Sequence, residues 1–107
     1  MRLLVLVLSA LLVSIAAAAA QAPLQKRGEE LLRARCAACH AIGRSGESPR
    51  RGAPAFHVLM QRYPPQSLEE ALAEGLVTGH RDMPEFVFPP ADIAAIVAYL
   101  ETLRGRR

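Results

Sequence analysis

Aromatic side chains are scarce in this chain of 107 residues, which has no tryptophan, two tyrosines and three phenylalanines. Without its apolar first twenty residues the chain has 87 residues. A domain of that size buries only about 60% of the surface that its unfolded chain exposes, and it is marginal without a covalent or cofactor staple. Few aromatic side chains are present to fill a core. We therefore expect a bound apolar group to complete it.

Cysteine is equally rare, since the chain has only two. Cys36 and Cys39 lie three positions apart, so a disulfide between them would close a trivial loop. A structural zinc site needs four ligands, usually from a second C-x-x-C or a histidine pair, and no second pair exists. These counts exclude a disulfide scaffold and argue against a zinc site.

Both cysteines belong to one C-x-x-C-H run that ends in His40. The run is typical of covalent haem attachment: two thiols one helical turn apart add to the two vinyl groups, and the adjacent imidazole becomes the proximal iron ligand. A thioredoxin-like dithiol would need a βαβ pattern, and the sequence has no convincing strand. The remaining alternative is a pair of small buried apolar residues in a helix. We predict that Cys36, Cys39 and His40 bind one haem.

The first twenty residues are predicted to be a signal peptide. A basic start is followed by an apolar run over residues 3–20, and three alanines precede Gln21. Haem is attached to this motif outside the bacterial cytoplasm, so we expect a periplasmic domain over residues 21–107. The run is also close to the lower length limit of a membrane span. An uncleaved anchor in the inner membrane is therefore the alternative.

Apolar periodicity predicts two helices that cross. One runs from Leu24 into the haem motif and contains Gly28; glycine costs about 1 kcal/mol in a helix interior, so we expect a helix to pack closely there. The partner is the last helix, which begins near Pro90 with Asp92 in its first turn and ends near Arg104.

A third helix is predicted between these two. The run Ser67-Leu68-Glu69-Glu70 matches a capping box, and Gly75 is a natural C-terminal stop. A shorter turn over residues 55–59 precedes it.

Met83 is the predicted second axial ligand of the iron. Gly79 before it and Pro84 after it keep this stretch out of a regular helix, so the thioether can project inward from a loop. His40 and Met83 would then be the two metal ligands. The competing side chains are Met60, in the apolar face of a short helix, and His57 and His80.

Four segments together resemble a small mono-haem class I c-type cytochrome of bacteria. They are residues 28–40, 52–54, 79–86 and 98–100. The resemblance implies an all-α, cytochrome c-like fold of three to four helices around one covalent haem c, with crossing terminal helices. It also implies that the carbonyl of Pro54 accepts a hydrogen bond from the second ring nitrogen of His40.

The function that this resemblance implies is electron transfer, not enzyme catalysis. The expected partners are redox proteins such as a dehydrogenase, an oxidase or a cytochrome complex. The alternatives are a haem subunit that works only inside an oxidoreductase complex, and a ligand sensor with an open iron site.

Charge adds little, because the formal net charge is only +3. Arg44, Arg50 and Arg51 follow the haem motif, where one of them could pair with a haem propionate, and Tyr63 or His57 could donate a hydrogen bond. Basic residues are not interleaved with aromatics, so nucleic acid is not an expected partner.

The folding of the domain is expected to depend on haem. The double variant Cys36→Ala, Cys39→Ala should lack covalent haem and be largely unfolded, because the chain is short and poor in aromatic side chains. Circular dichroism during heating tests this. A cooperative thermal transition in the haem-free variant would show that the polypeptide alone builds a sufficient core.

Overall fold

The computed structural model of the chain describes residues 1–75 and 79–105, and within them the regular structure is helical, without strands. This confirms the all-α class. The elements in chain order are α1 (Arg2–Arg35), α2 (Phe56–Arg62), a 3₁₀ helix (Pro65–Leu68), α3 (Glu69–Glu74) and α4 (Pro90–Glu101).

The helices α1 and α4 form the principal packing pair of the fold. Gly28 is buried where they cross, and a Cβ atom placed on it would lie 2.6 Å from the carbonyl carbon of Ala95 and 2.9 Å from Cβ of Tyr99. Only glycine permits so close an approach of one helix to the backbone of another. The predicted crossing at Gly28 is confirmed.

The hydrophobic core lies between these two helices and is closed by α2 and the segment before α4. Ile96 and Leu100 are 1% and 2% exposed, so each contributes roughly 1.5–3 kcal/mol by burial. The other buried apolar residues are Leu31, Leu32, Ile42, Met60, Phe88, Ile93, Ala95 and Leu103.

Two polar contacts fix α4 at its ends. Asp92 in the first turn lies 3.5 Å from the guanidinium of Arg27 on α1. Near the other end, the hydroxyl of Tyr99 donates a 2.7 Å hydrogen bond to the carbonyl of Ile42, just after the haem motif. Partial burial raises the pKa of Tyr99, so the phenol stays protonated and continues to donate.

The helix α4 ends at Glu101, three residues earlier than the sequence predicts. The backbone N–H and the side-chain hydroxyl of Thr102 both donate to the carbonyl of Tyr99, at 2.9 and 2.6 Å. Contacts to the third preceding residue tighten the last turn and end the α-helical pattern.

The predicted capping box at Ser67 is wrong. Ser67 lies inside the 3₁₀ helix, where its N–H donates to the carbonyl of Pro64 at 3.0 Å, and no side-chain hydrogen bond caps α3. Two consecutive prolines set the backbone for a tight turn before the α-helix can begin. The predicted stop at Gly75 is confirmed, because it ends α3 with a φ of 104°.

The apolar N-terminal segment continues directly into α1, so one helix of 34 residues joins it to the haem motif. Its most apolar 18-residue window has a mean hydropathy of 2.7 and is 0% buried, which is long and apolar enough to cross a membrane. A signal sequence has the same properties. The boundary between residues 20 and 21 therefore stays a prediction.

Substitution of Gly28 by alanine should destabilise the fold by about 1–3 kcal/mol through overpacking against Ala95. The loss should appear although alanine is the better helix former. Gly43→Ala is the matched control, because the nearest atom to a Cβ there is 3.9 Å away. Equal denaturation midpoints for the two variants would contradict the tight crossing.

Candidate haem-binding site

The haem motif begins where α1 ends. Cys36 caps the helix, and its N–H donates to the carbonyl of Leu32 at 2.8 Å. The N–H of Cys39 and that of His40 then both donate back to the carbonyl of Cys36, at 3.2 and 2.9 Å. One more turn of chain thus carries both thiols and the imidazole, which is the spacing that the two vinyl groups of one haem require.

The imidazole of His40 is held in one orientation. Its Nδ1 lies 2.7 Å from the carbonyl oxygen of Pro54, as the family resemblance implies. A carbonyl can only accept, so Nδ1 carries the proton and Nε2 keeps its lone pair for a metal. The ring of Phe56 stacks on the imidazole, with 5.0 Å between the ring centroids.

Phe56 was not among the sequence-predicted site residues. Phe56 lies two positions after Pro54, so the same turn places the Pro54 carbonyl and the Phe56 ring beside His40. An aromatic residue close to a predicted histidine partner was the available signal, but only the fold shows that the two rings stack.

One cavity of about 440 Å³ brings the predicted haem-binding residues together. Cys36, Cys39, His40 and Pro54 line it, and so does Met83, which is separated from the motif by more than forty positions. The volume falls within the usual range of cofactor pockets. The other lining residues are Arg35, Ala38, Arg50, Arg51, Gly52, Ala53, Phe56, His80, Arg81, Asp82, Pro84 and Phe86.

The structure places the competing candidates for the second axial ligand in different parts of the domain. Met60 is only 3% exposed and belongs to the core, not to the cavity lining. The ring of His57 lies 2.9 Å from the carbonyl of Gly46 and faces a different groove. His80 lines the cavity beside Met83. The geometry therefore reduces the candidates to Met83 and His80.

Residues 79–84, called the Met83 loop below, form an irregular segment as the flanking glycine and proline predict. Gly79 has a φ of 76°, and the N–H of Met83 donates to the carbonyl of His80 at 3.2 Å. Met83 itself is half-buried. Pro84 follows it and prevents a helix from continuing.

The arginines after the motif have different surroundings. Arg50 and Arg51 line the cavity, whereas Arg44 lines the groove beside His57. The guanidinium of Arg50 lies 2.5 Å from the carboxylate of Asp82, and this contact raises the pKa of Arg50.

On the same cavity wall, the guanidinium of Arg35 lies 6.0 Å from the centre of the Phe86 ring, at the distance of a cation–π contact. Tyr63, proposed from the sequence as a propionate donor, is 57% exposed and does not line the cavity.

The side chains of the cavity fit a haem and not a bare metal ion. In residues 1–75 and 79–105, no group of three or more His, Cys, Asp or Glu side chains could hold a metal ion. Burial raises the pKa of the Cys36 thiol to about 11, which disfavours the thiolate that zinc binding or disulfide exchange requires. Haem attachment needs two thiols and an oriented imidazole, and these are the groups present.

The comparison with protein families agrees with this geometry. A family model described as cytochrome c oxidase, cbb3-type, subunit III matches residues 23–100. The chain belongs to this family. It is a c-type cytochrome domain with the all-α cytochrome c fold, and it carries covalently bound haem c. The matched region begins after the apolar leader and includes every residue proposed for the site. No curated protein and no solved structure matches the chain.

Proposed function

We propose that this cytochrome domain is a periplasmic electron carrier whose haem is attached at Cys36 and Cys39, with His40 and Met83 as axial ligands. The observation that carries the proposal is the single cavity lined by all four side chains. The hydrogen bond from His40 to Pro54 supports it, because it leaves Nε2 free to bind iron.

The haem, when bound, supplies the one-electron redox chemistry. The protein contributes orientation, burial and a fixed ligand set. Pro54 and Phe56 hold the plane of the His40 ring, and the Met83 thioether favours ferrous iron relative to a second imidazole. Little in such a site needs to rearrange when an electron enters or leaves. No substrate chemistry follows, since a domain of this family is not an enzyme by itself.

A second candidate function is that of a haem subunit in a terminal oxidase complex. The description of the matching family favours it, and so does the apolar start of α1. The partner would then be a membrane-bound redox complex. Native gel electrophoresis of detergent-solubilised membranes distinguishes the two, because a free carrier migrates at the size of one small domain.

We infer that residues 1–20 are removed on export. Cleavage there would leave Pro23 in the first turn of the mature helix, where its missing N–H is not needed. Mass spectrometry of the exported protein should find a chain that begins at Gln21 and carries one haem. The full-length mass in the membrane fraction would instead establish the uncleaved anchor.

The distal ligand is tested by substituting Met83. Ferric protein should show the weak charge-transfer absorption of an iron–thioether bond, and Met83→Ala should abolish it. The same variant should bind CO in the ferrous state and have a lower midpoint potential, because the thioether stabilises ferrous iron.

Two variants serve as comparisons in this experiment. Met60→Leu, a volume-conserving change in the core, and His80→Gln should both keep the absorption band. Loss of the native ligand in His80→Gln but not in Met83→Ala would mean bis-histidine ligation. Wild-type protein that already binds CO freely would favour a ligand sensor with an open iron site.

A further inference from the structure

One ion pair joins the two halves of the haem cavity. Arg50 and Asp82 are separated by 32 positions, yet the guanidinium and the carboxylate lie 2.5 Å apart. Both residues line the cavity, and their side chains are 49% and 63% exposed. The pair therefore lies at the rim of the cavity and not inside it.

Arg50 belongs to the half that carries the proximal ligand. Its backbone N–H donates to the carbonyl of Cys39 at 3.2 Å, and its own carbonyl accepts from the N–H of Ala53 at the same distance. Ala53 is followed by Pro54, whose carbonyl orients the ring of His40. The guanidinium thus projects from a segment that is tied to the haem motif on both sides.

Asp82 belongs to the other half, immediately before Met83. The hydrogen bond from the Met83 N–H to the His80 carbonyl lies within the Met83 loop, so it does not attach the loop to the rest of the domain. Further along the chain, the N–H of Phe88 donates to the carbonyl of Leu72 at 2.9 Å. The contact of Asp82 with Arg50 joins the loop to the proximal half.

We propose that the Arg50–Asp82 ion pair is a latch that holds the Met83 loop over the cavity and limits access of external ligands to the distal side of the iron. The proposal rests on the proposed function for the presence of Met83 on that side. Arg50 and Asp82 are positioning residues, because they act through the loop and do not bind the iron.

The size of the effect follows from the exposure of the pair. Solvent-exposed ion pairs add little to the stability of a whole domain. Local opening of a loop costs much less free energy than unfolding of the whole domain. The small contribution of the ion pair is therefore a measurable fraction of the free energy of loop opening. Loss of the pair should increase the open population of the Met83 loop about two- to fivefold.

The test uses ferric holoprotein and compares wild type with Asp82→Asn, Arg50→Gln and the double variant. The rate of imidazole binding to the iron should rise about two- to fivefold in each single variant. The double variant should bind imidazole no faster than the single variants, because each single variant already breaks the same ion pair. Amide hydrogen exchange over residues 79–84 should accelerate in parallel, while exchange in α4 stays unchanged.

Glu29→Gln is the matched control. It removes an ion pair of similar exposure, that of Glu29 with Arg33 on α1, without touching the cavity. Its imidazole-binding rate should equal that of wild type. Added salt should speed imidazole binding to wild type more than to the double variant, since an exposed pair is screened.

Three results would overturn the latch. The first is unchanged loop exchange in both single variants. The second is an effect of Arg50→Gln without one of Asp82→Asn, which would mean that Arg50 serves a haem propionate instead. The third is additive effects in the double variant. Absence of the iron–thioether band from wild type would overturn the Met83 assignment alone, because amide exchange of the loop still tests the ion pair.

Discussion

The close approach of α1 to α4 at Gly28 is the constraint on which the rest of the domain depends. Without a side chain at Gly28, α1 lies against the backbone of Ala95, and the end of α1 is thereby fixed relative to the core. The haem motif starts at the next residue after that helix. Any change in the crossing would therefore move the thiols and the imidazole together.

The rest of the site is assembled from loops that are tied back to this helix pair. Tyr99 on α4 holds the carbonyl of Ile42, and the Pro54 carbonyl holds His40 from fourteen positions away. The irregular chain between the motif and α2 is in this way attached at both ends. The Met83 loop lines the same cavity, and the ion pair of Asp82 with Arg50 joins it to these segments.

Much of this arrangement could be predicted from the sequence, because it depends on local patterns. The glycine inside an amphipathic helix predicted the crossing, and Gly75 predicted the end of α3. The capping box failed because Pro64 and Pro65 impose a tight turn over the same residues. A short motif is only a preference, and a fixed proline backbone is the stronger local constraint.

Other features depend on contacts between residues that are distant in the sequence. The stacking of Phe56 on His40 and the pairing of Arg50 with Asp82 join residues that are 16 and 32 positions apart, and the sequence alone does not show that either pair is in contact. The sequence predicts a leader and a separate domain helix, whereas the structure joins them in the uninterrupted α1. Pro23 lies inside α1, and the helix continues through it, because a proline removes only one backbone hydrogen bond donor.

Two of the few aromatic side chains lie where the hydrophobic core meets the haem cavity. Phe56 and Phe86 are half-buried, pack against the core and also line the haem cavity, as does Cys36. These side chains therefore contact the core and also line the cavity. Haem bound in the cavity would cover the outer surface of these side chains, which is the physical reason to expect that haem attachment contributes to folding. A covalent link suits such a domain, because dissociation of the haem would expose these side chains and weaken the core behind them.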